Sequence, residues 1–168
     1  MTATLFSLPS DSVATTSDDC YTPRWVFDAM DLEFDLDVAA PIGGPWHVPA
    51  RRWFTAEDDG LAQDWDGLVW CNPPYSGFSP WAERFIRHDR VALMGLMLNS
   101  VRWLGPVIAN SDAVALLPGI RFQTPGDMPT PSFRQVVFVA FRGVGTEPAE
   151  RLAAADRYGA VLYGKGAL

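Results

Sequence analysis

The sequence lacks the features that mark secreted, disulfide-stabilised or membrane-spanning proteins. Its two cysteines, Cys20 and Cys71, form neither a disulfide framework nor a Cys-x-x-Cys pair. No apolar run is long enough to cross a bilayer, and the N-terminus has no basic start followed by a sustained apolar stretch. We therefore expect a cytoplasmic protein without membrane contact, in which Cys71 is a small buried strand residue.

Several catalytic and binding motifs are also missing. The chain has no Gly-x-x-x-x-Gly-Lys-Ser/Thr loop, no Gly-x-Gly-x-x-Gly fingerprint and no Gly-x-Ser-x-Gly elbow. These absences argue against nucleotide hydrolysis, standard dinucleotide binding and serine hydrolysis. His47 and His88 have no Cys or His partner at ligand spacing, which argues against zinc. Acidic residues leave a carboxylate-metal site open, but acidic turns are more often solvated, and we predict no metal; the residues are Asp35, Asp37, Glu57, Asp58 and Asp59.

Positive charge is scarce, since the formal net charge is -7. This balance argues against a tight nonspecific nucleic-acid binder, whose footprint is a basic face. It still allows an enzyme that meets nucleic acid through a local basic patch. The segment RFIRHDR, residues 84–90, offers such a patch, and a solvated helix face is an equally good interpretation of it.

The composition is that of a globular domain. The 168 residues are 48% hydrophobic and include seven tryptophans, which is enough for one domain with a sizeable core. We expect Trp70 and Trp81 in that core. Residues 1–18 are polar and aperiodic and are predicted to be a flexible arm. Residues 19–168 are then the domain.

Strands and helices are predicted to alternate along this domain. Thr22 as N-cap and Pro23 at the first helical position predict a helix start, and Ser79-Pro80 repeats the signal. Further helices are predicted near residues 101–109 and in EPAERLAAADRYG. Strands are predicted in FDLDVAA, RWFT, GLVWC, VALMGLMLN, DAVALLP, RQVVFVAF and, at an edge, AVLYGKGAL. The alternation predicts an α/β fold with a mostly parallel twisted sheet.

The segment VWCNPPYSGFSPW, residues 69–81, places two prolines directly after an apolar strand. Each proline fixes its own φ and disfavours helix in the residue before it, so Asn72 and Tyr75 are held at the corners of a rigid elbow. Ligands of open α/β sheets bind beyond the carboxyl ends of the strands. The elbow is expected there, together with Asp37 and the residues that follow it.

The elbow offers acceptors beside an aromatic ring. The Asn72 side-chain oxygen and the Pro73 carbonyl can both accept hydrogen bonds, and Tyr75 can stack on a flat ring. Such a set suits an exocyclic amino group on a planar base. Accepting both of its hydrogens frees the nitrogen lone pair for attack, and no strong general base is then needed.

The chain resembles the phage-type DNA N6-adenine methyltransferase family over roughly residues 20–142. The segments that carry the resemblance stand in the order found in that family: YTPRWVFDAM, FDLDVAA, RWFTAEDDGLAQDW, VWCNPPYS and PGIRFQTPGDMPTPS...VVFVAF. The resemblance implies a single-domain Rossmann-like class I methyltransferase fold with helices on both faces of the sheet. It also implies S-adenosylmethionine as cofactor and DNA as partner, with the target adenine flipped out of the stack.

The resemblance assigns roles residue by residue. Asn72, Pro73, Pro74 and Tyr75 would form the catalytic motif, in which Pro74 holds the turn. The cofactor would be held by Tyr21, Thr22, Pro23, Asp37, Ala39, Ala40, Glu57, Asp59 and Asn72. Which of Glu57, Asp58 and Asp59 binds the cofactor ribose is left open.

The sequence departs from the general methyltransferase pattern after the first strand, where DVAAPIGG replaces the Phe-x-Gly-x-Gly loop. The chain is also short for a separate target-recognition domain, so sequence choice is expected from residues 41–52 and 121–132. A monomer or small homo-oligomer in a bacterial host, if phage-encoded, is expected. Two alternatives stay open. One is the same transfer to cytosine N4, an RNA adenine or a protein amide, and the other is a catalytically silent binding module.

Overall fold

A computed structural model describes residues 18, 20–97, 102–124 and 135–164. In these residues there are seven strands and four α-helices. The strands are β1 Phe34–Asp37, β2 Ala50–Trp53, β3 Val69–Cys71, β4 Val91–Leu96, β5 Ala113–Leu117, β6 Val137–Arg142 and β7 Ala160–Tyr163. The helices are α1 Arg24–Met30, α2 Ser79–Arg87, α3 Leu104–Ala109 and α4 Glu147–Ala155.

The expected flexible arm lies outside the described residues, apart from Asp18. None of the described helices combines the length and apolar character of a membrane span.

The seven strands form one sheet in the order β2-β1-β3-β4-β6-β5-β7. The pairings from β2 to β4 are parallel, whereas the three pairings that join β4, β6, β5 and β7 are antiparallel. The sheet is therefore mixed, and the expectation of a mostly parallel sheet holds for one half only. The expected edge strand is confirmed as β7. Strands β1, β3, β4 and β5 all point the same way, so their carboxyl ends share one edge of the sheet.

Helices cover both faces of the sheet, as expected. On one face α1 and α4 pack over Phe34, Trp70 and Met94. On the other face α2 and α3 pack over strand residues such as Leu36 and Leu93. Strand β4 is buried along its whole length, because neighbours flank it on both sides and helices lie on both faces. The apolar run VALMGL thus becomes the centre of the sheet.

The predicted N-cap of α2 is wrong by one residue, since the helix begins at Ser79 and Phe78 is its N-cap. The predicted N-cap of α1 is also wrong by one residue. The helix begins at Arg24, and the extended residue before it is Pro23, which makes no side-chain capping bond. Thr22 is 4% exposed, and its hydroxyl donates to the Met94 sulfur at 3.5 Å. The hydroxyl is directed into the sheet because a strand side chain, and not the helix terminus, supplies its partner.

Candidate active site

A cavity of about 700 Å³ lies at the shared carboxyl edge of β1 and β3. It brings together most of the residues that the sequence points to. The predicted residues that line it are Tyr21, Thr22, Asp37, Ala39, Ala40, Asp59, Asn72 and Pro74. The rigid elbow forms one wall, and the residues after β1 form another. The cavity thus lies where ligands of α/β sheets bind.

Four predicted residues do not line the cavity. Pro23 precedes α1, and Glu57 points to solvent from the acidic turn. Pro73 is buried beneath the elbow, and Tyr75 is half-buried next to it. The roles assigned to these four residues stay predictions.

The Asn72 amide is held by three hydrogen bonds. Its Nδ2 donates to the Cys20 carbonyl at 3.0 Å and to Thr22 Oγ1 at 3.1 Å. Its Oδ1 accepts the Tyr75 hydroxyl at 3.0 Å. An amide oxygen has two lone pairs, so one acceptor position remains beyond the bond from Tyr75. The local backbone keeps this arrangement stiff, since Pro73 and Pro74 follow directly.

The Tyr75 ring packs edge-on against Phe122 at 6.2 Å and tilted against Phe78 at 6.4 Å. Burial raises the pKa of the Tyr75 hydroxyl well above its usual range, and nearby Cys20 and Asp18 raise it further. The hydroxyl therefore stays protonated and acts as a donor towards Asn72. The hydroxyl tethers the ring to the elbow, and the expected stacking of this ring on a base stays a prediction.

Asp37 is a buried carboxyl at the end of β1. It is 2% exposed, and its one hydrogen-bond donor among the described residues is the Ala39 N–H at 3.1 Å. Burial raises the pKa of Asp37 to about 7, against a smaller lowering by the Ala39 bond. Burial, and next the Asp37 charge, raise the pKa of the Cys71 thiol well above its usual range. A buried carboxylate with so little compensation favours a cationic partner.

The acidic turn separates the three carboxylates left open by the sequence. Asp58 Oδ2 accepts the Thr55 N–H at 2.8 Å and the Thr55 hydroxyl at 2.9 Å, so Asp58 is used within the turn. Asp59 lines the cavity, while Glu57 does not. Of the three, Asp59 is the carboxylate placed to meet a ligand.

Gly60 anchors this turn against the end of β1. A Cβ at Gly60 would lie 2.0 Å from the Val38 carbonyl oxygen, so no larger residue fits without moving the backbone. The Gly60 carbonyl also accepts the Trp65 indole N–H at 2.8 Å. The close approach brings the acidic turn next to Asp37.

Residues 41–52, which include most of the loop between β1 and β2, were expected from the sequence to set the choice of DNA sequence, but the sequence did not place this loop in the cavity wall. Ile42, Trp46 and His47 all line the cavity, and the Tyr21 and Trp46 rings lie 5.3 Å apart. Trp46 has a φ of 49° and is 50% exposed. A bulky residue at positive φ is unusual and is found where the surroundings fix it. The usable sequence signal was a tryptophan inside a Gly/Pro-rich loop.

The segment 84–90 lies at the edge of the sheet opposite the cavity. Arg87 is 3.9 Å from Glu83, and Arg84 donates to the Gln63 carbonyl at 2.8 Å. These pairings favour the solvated helix face over the nucleic-acid patch. Arg102 and Arg121 are exposed and follow β4 and β5 at the carboxyl edge of the sheet, but neither lines the cavity.

Comparison with known proteins identifies the family to which this chain belongs. Residues 10–130, well over half of the chain, match the model of a family described as DNA N-6-adenine-methyltransferase (Dam). A DNA N-6-adenine-methyltransferase of Haemophilus phage HP1 (strain HP1c1) is 29% identical over 110 residues, which cover 60% of this chain and 62% of that relative. The chain thus spans a little under two thirds of the length of the phage relative. The family match includes Asp37, the acidic turn and the elbow.

Proposed function

Because this chain belongs to the DNA N-6-adenine-methyltransferase (Dam) family, we propose that it transfers a methyl group from S-adenosylmethionine to the N6 amino group of adenine in DNA. The observation that carries the proposal is the fixed Asn72 amide at the wall of the cavity. It offers a neutral acceptor to an amino group. We further propose a single-domain Rossmann-like class I methyltransferase fold over residues 19–168.

The carboxylates that line the cavity suit the charged and hydroxyl groups of the proposed cofactor. Asp37 supplies a buried carboxylate with one backbone donor, which suits a cationic ligand group. Asp59 supplies a second carboxylate at the cavity wall, and a carboxylate can accept both hydroxyls of a ribose diol. When bound, S-adenosylmethionine supplies an electrophilic methyl group. Asp37, Ala39, Ala40 and Asp59 are the residues that would hold it.

The elbow supplies the acceptors for the target amino group. The Asn72 oxygen and the Pro73 carbonyl would accept its two hydrogens, so the nitrogen moves towards tetrahedral geometry and its lone pair becomes available. Acceptors fixed in advance do not reorganise during the reaction, which lowers the barrier. Tyr75 would stack on the base. A neutral acceptor set also fits the absence of a strong base from the sequence motif.

The target adenine must leave the DNA duplex to reach the elbow. An adenine inside a duplex cannot reach a cavity in the protein, so the target base must leave the stack at a cost of about a few kcal/mol. The loop residues Ile42, Trp46 and His47 line the cavity and are candidates for contacts with the neighbouring bases. Cytoplasmic location and a monomer or small homo-oligomer stay predictions.

The test measures the product directly. Purified protein is incubated with tritium-labelled S-adenosylmethionine and unmethylated DNA, and the DNA is digested to nucleosides. We expect label in N6-methyldeoxyadenosine. Asn72→Ala should reduce the rate by about 10²- to 10³-fold, the usual cost of losing one fixed donor or acceptor in the transition state. Asn110→Ala is the matched control, because Asn110 bonds the Pro106 carbonyl at the end of α3.

Other results would change the proposal. Label in N4-methylcytosine, or in RNA but not DNA, would move the acceptor while keeping the chemistry. No label with any substrate, together with no calorimetric binding of the cofactor, would favour the silent binding module. Equal rates for Asn72→Ala and the wild type would remove the assigned role of Asn72.

A further inference from the structure

The hydrogen bonds around Asn72 have a fixed direction. A backbone carbonyl only accepts, so the atom of Asn72 that faces the Cys20 carbonyl at 3.0 Å must be the amide nitrogen. A thioether also only accepts, so the Thr22 hydroxyl proton points to the Met94 sulfur at 3.5 Å. Thr22 Oγ1 then offers a lone pair to Asn72 Nδ2 at 3.1 Å. The Cys20 carbonyl can only accept, and the Thr22 hydroxyl accepts from Asn72 because its own proton is used at Met94.

We propose that Thr22 is a positioning residue, which holds the Asn72 amide so that its oxygen faces the target amino group. The resemblance to the family had assigned Thr22 to the cofactor. In the structure its polar contacts are Met94 and Asn72, and it is 4% exposed. The inference rests on the proposed function for what Asn72 accepts, but the orientation of the amide is a separate claim.

Orientation matters because the two ends of an amide have opposite polarity. If the amide turned over, its NH₂ group would face the NH₂ group of the base, and two donors cannot bond each other. Turning would also place the amide oxygen against the Cys20 carbonyl, where no hydrogen bond can form. Thr22 and the Cys20 carbonyl thus act together, and of the two only Thr22 contributes through its side chain.

The kinetic test removes the acceptor without changing the shape. Thr22→Val should lower kcat by about 10- to 100-fold, the range expected when a reacting group is misplaced. The dissociation constant of S-adenosylmethionine should change little, and Thr22→Ser should restore kcat. Thr146→Val is the matched control, because Thr146 precedes α4 at the opposite edge and makes no side-chain capping bond. Its kinetics should match the wild type.

A second variant covers the case in which Thr22→Val does not fold. Met94→Leu keeps the volume but removes the sulfur acceptor that directs the Thr22 hydroxyl, and such swaps are usually tolerated. It should lower kcat by about 2- to 10-fold, the range of one neutral hydrogen bond. An unchanged kcat in Met94→Leu would count against the directed hydroxyl.

An NMR measurement tests the orientation without any turnover. In the wild type both side-chain amide protons of Asn72 are hydrogen-bonded, so both should exchange slowly with solvent. In Thr22→Val one of them should exchange faster, and in Thr146→Val neither should. Unchanged exchange in Thr22→Val would overturn the inference, whatever the activity of the wild type.

The outcomes separate the inference from the proposed function. Faster exchange in Thr22→Val in a wild type that methylates nothing would uphold the positioning and remove the proposed function. A weaker cofactor affinity in Thr22→Val with an unchanged kcat at saturation would overturn the positioning and restore a cofactor contact.

Discussion

At the elbow end of the cavity the Asn72 amide makes three hydrogen bonds, whereas at the β1 end the buried Asp37 carboxyl accepts one backbone N–H from the described residues. The first group is neutral and almost fully partnered. The second, when it is ionised, carries a charge for which the described residues provide little compensation. One end is therefore prepared before any ligand arrives, while the other becomes favourable when a cation joins it.

Under the proposed function, this difference predicts separate tasks for the two ends. A fixed neutral acceptor contributes mainly to the chemical step, because its geometry matters in the transition state. An undercompensated carboxylate contributes mainly to ligand affinity, and it costs stability while the site is empty. Substitutions at the two ends should thus separate kcat from cofactor binding.

The largest expected effect at the β1 end comes from Asp37→Asn. Loss of the charge should weaken S-adenosylmethionine binding by about 10- to 100-fold, in line with hydrogen bonds to charged groups. Above pH 7 the same variant should be more stable without cofactor by on the order of 1–3 kcal/mol, because a costly buried charge is gone. Calorimetry and thermal unfolding at pH 8 measure the two quantities.

Asp35→Asn is the matched control for that change. Asp35 is also a carboxyl on β1, and its Oδ2 accepts the N–H of Leu68, the residue before β3, at 2.8 Å. Asp35 does not line the cavity. Its cofactor affinity should equal that of the wild type. If Asp37→Asn binds the cofactor as well as the wild type, the β1 end has no electrostatic role in binding.

The next effect is a pH dependence of cofactor affinity. The folded-state pKa of Asp37 is about 7, raised from 3.8 by burial. A cationic ligand prefers the ionised carboxyl, so affinity should be level above pH 7 and fall by up to about tenfold per pH unit below it. Cys71 does not interfere, because its pKa is raised well above its usual range.

The pH dependence of folding stability should run opposite to the pH dependence of cofactor affinity. A carboxyl whose folded pKa is raised binds its proton more tightly when folded, so its contribution is present below pH 3.8 and is lost as pH rises through 7. Titrations at pH 6.0, 7.0 and 8.0 should show both trends in the wild type. Asp37→Asn should show neither, and a persisting slope would place the titrating group elsewhere.

The features of the two cavity ends that involve residues close together in the sequence were predictable, whereas those that depend on distant residues were not. The elbow was predictable because Pro73 and Pro74 act on their own backbone. The use of Asp58 within the acidic turn carried a local signal as well, since Thr55 and Asp58 have the Thr-x-x-acid spacing of a cap. The hydrogen bond from Asn72 to Thr22 was not predictable, because the two residues are 50 positions apart and a Thr-Pro pair equally suits a helix start.

Strand direction shows the same limit at the level of the fold. The apolar runs of β5 and β6 identify strands, but an apolar run reads the same in either direction. Their antiparallel pairings with β4 and β7 depend on how the chain returns across the sheet. The parallel half could be expected from the alternation with helices, while the antiparallel half required the structure.

Two substitutions of Tyr75, with smaller expected effects, should distinguish the contribution of its ring from that of its hydroxyl. Tyr75→Ala should weaken binding of the flipped base by about fivefold or more, since stacking contributes about 1–3 kcal/mol per base. Tyr75→Phe keeps the ring and releases Asn72 Oδ1 from the bond at 3.0 Å, so KM for DNA should stay within about twofold of the wild type. Fluorescence of 2-aminopurine at the target position reports the flipped base. Equal losses in both variants would assign the effect to the hydroxyl.

The smallest expected effect concerns the side from which DNA approaches. Arg102 and Arg121 are exposed at the carboxyl edge of the sheet, which also holds the cavity, and neither has an acidic partner in the described part of the chain. Arg87, at the opposite edge, is 3.9 Å from Glu83. Arg102→Gln and Arg121→Gln should each weaken DNA binding a few-fold and reduce the salt dependence of log K by about 1, whereas Arg87→Gln should do neither. The same loss in Arg87→Gln would move the DNA away from the elbow, and the fixed amide of Asn72 would then face no base.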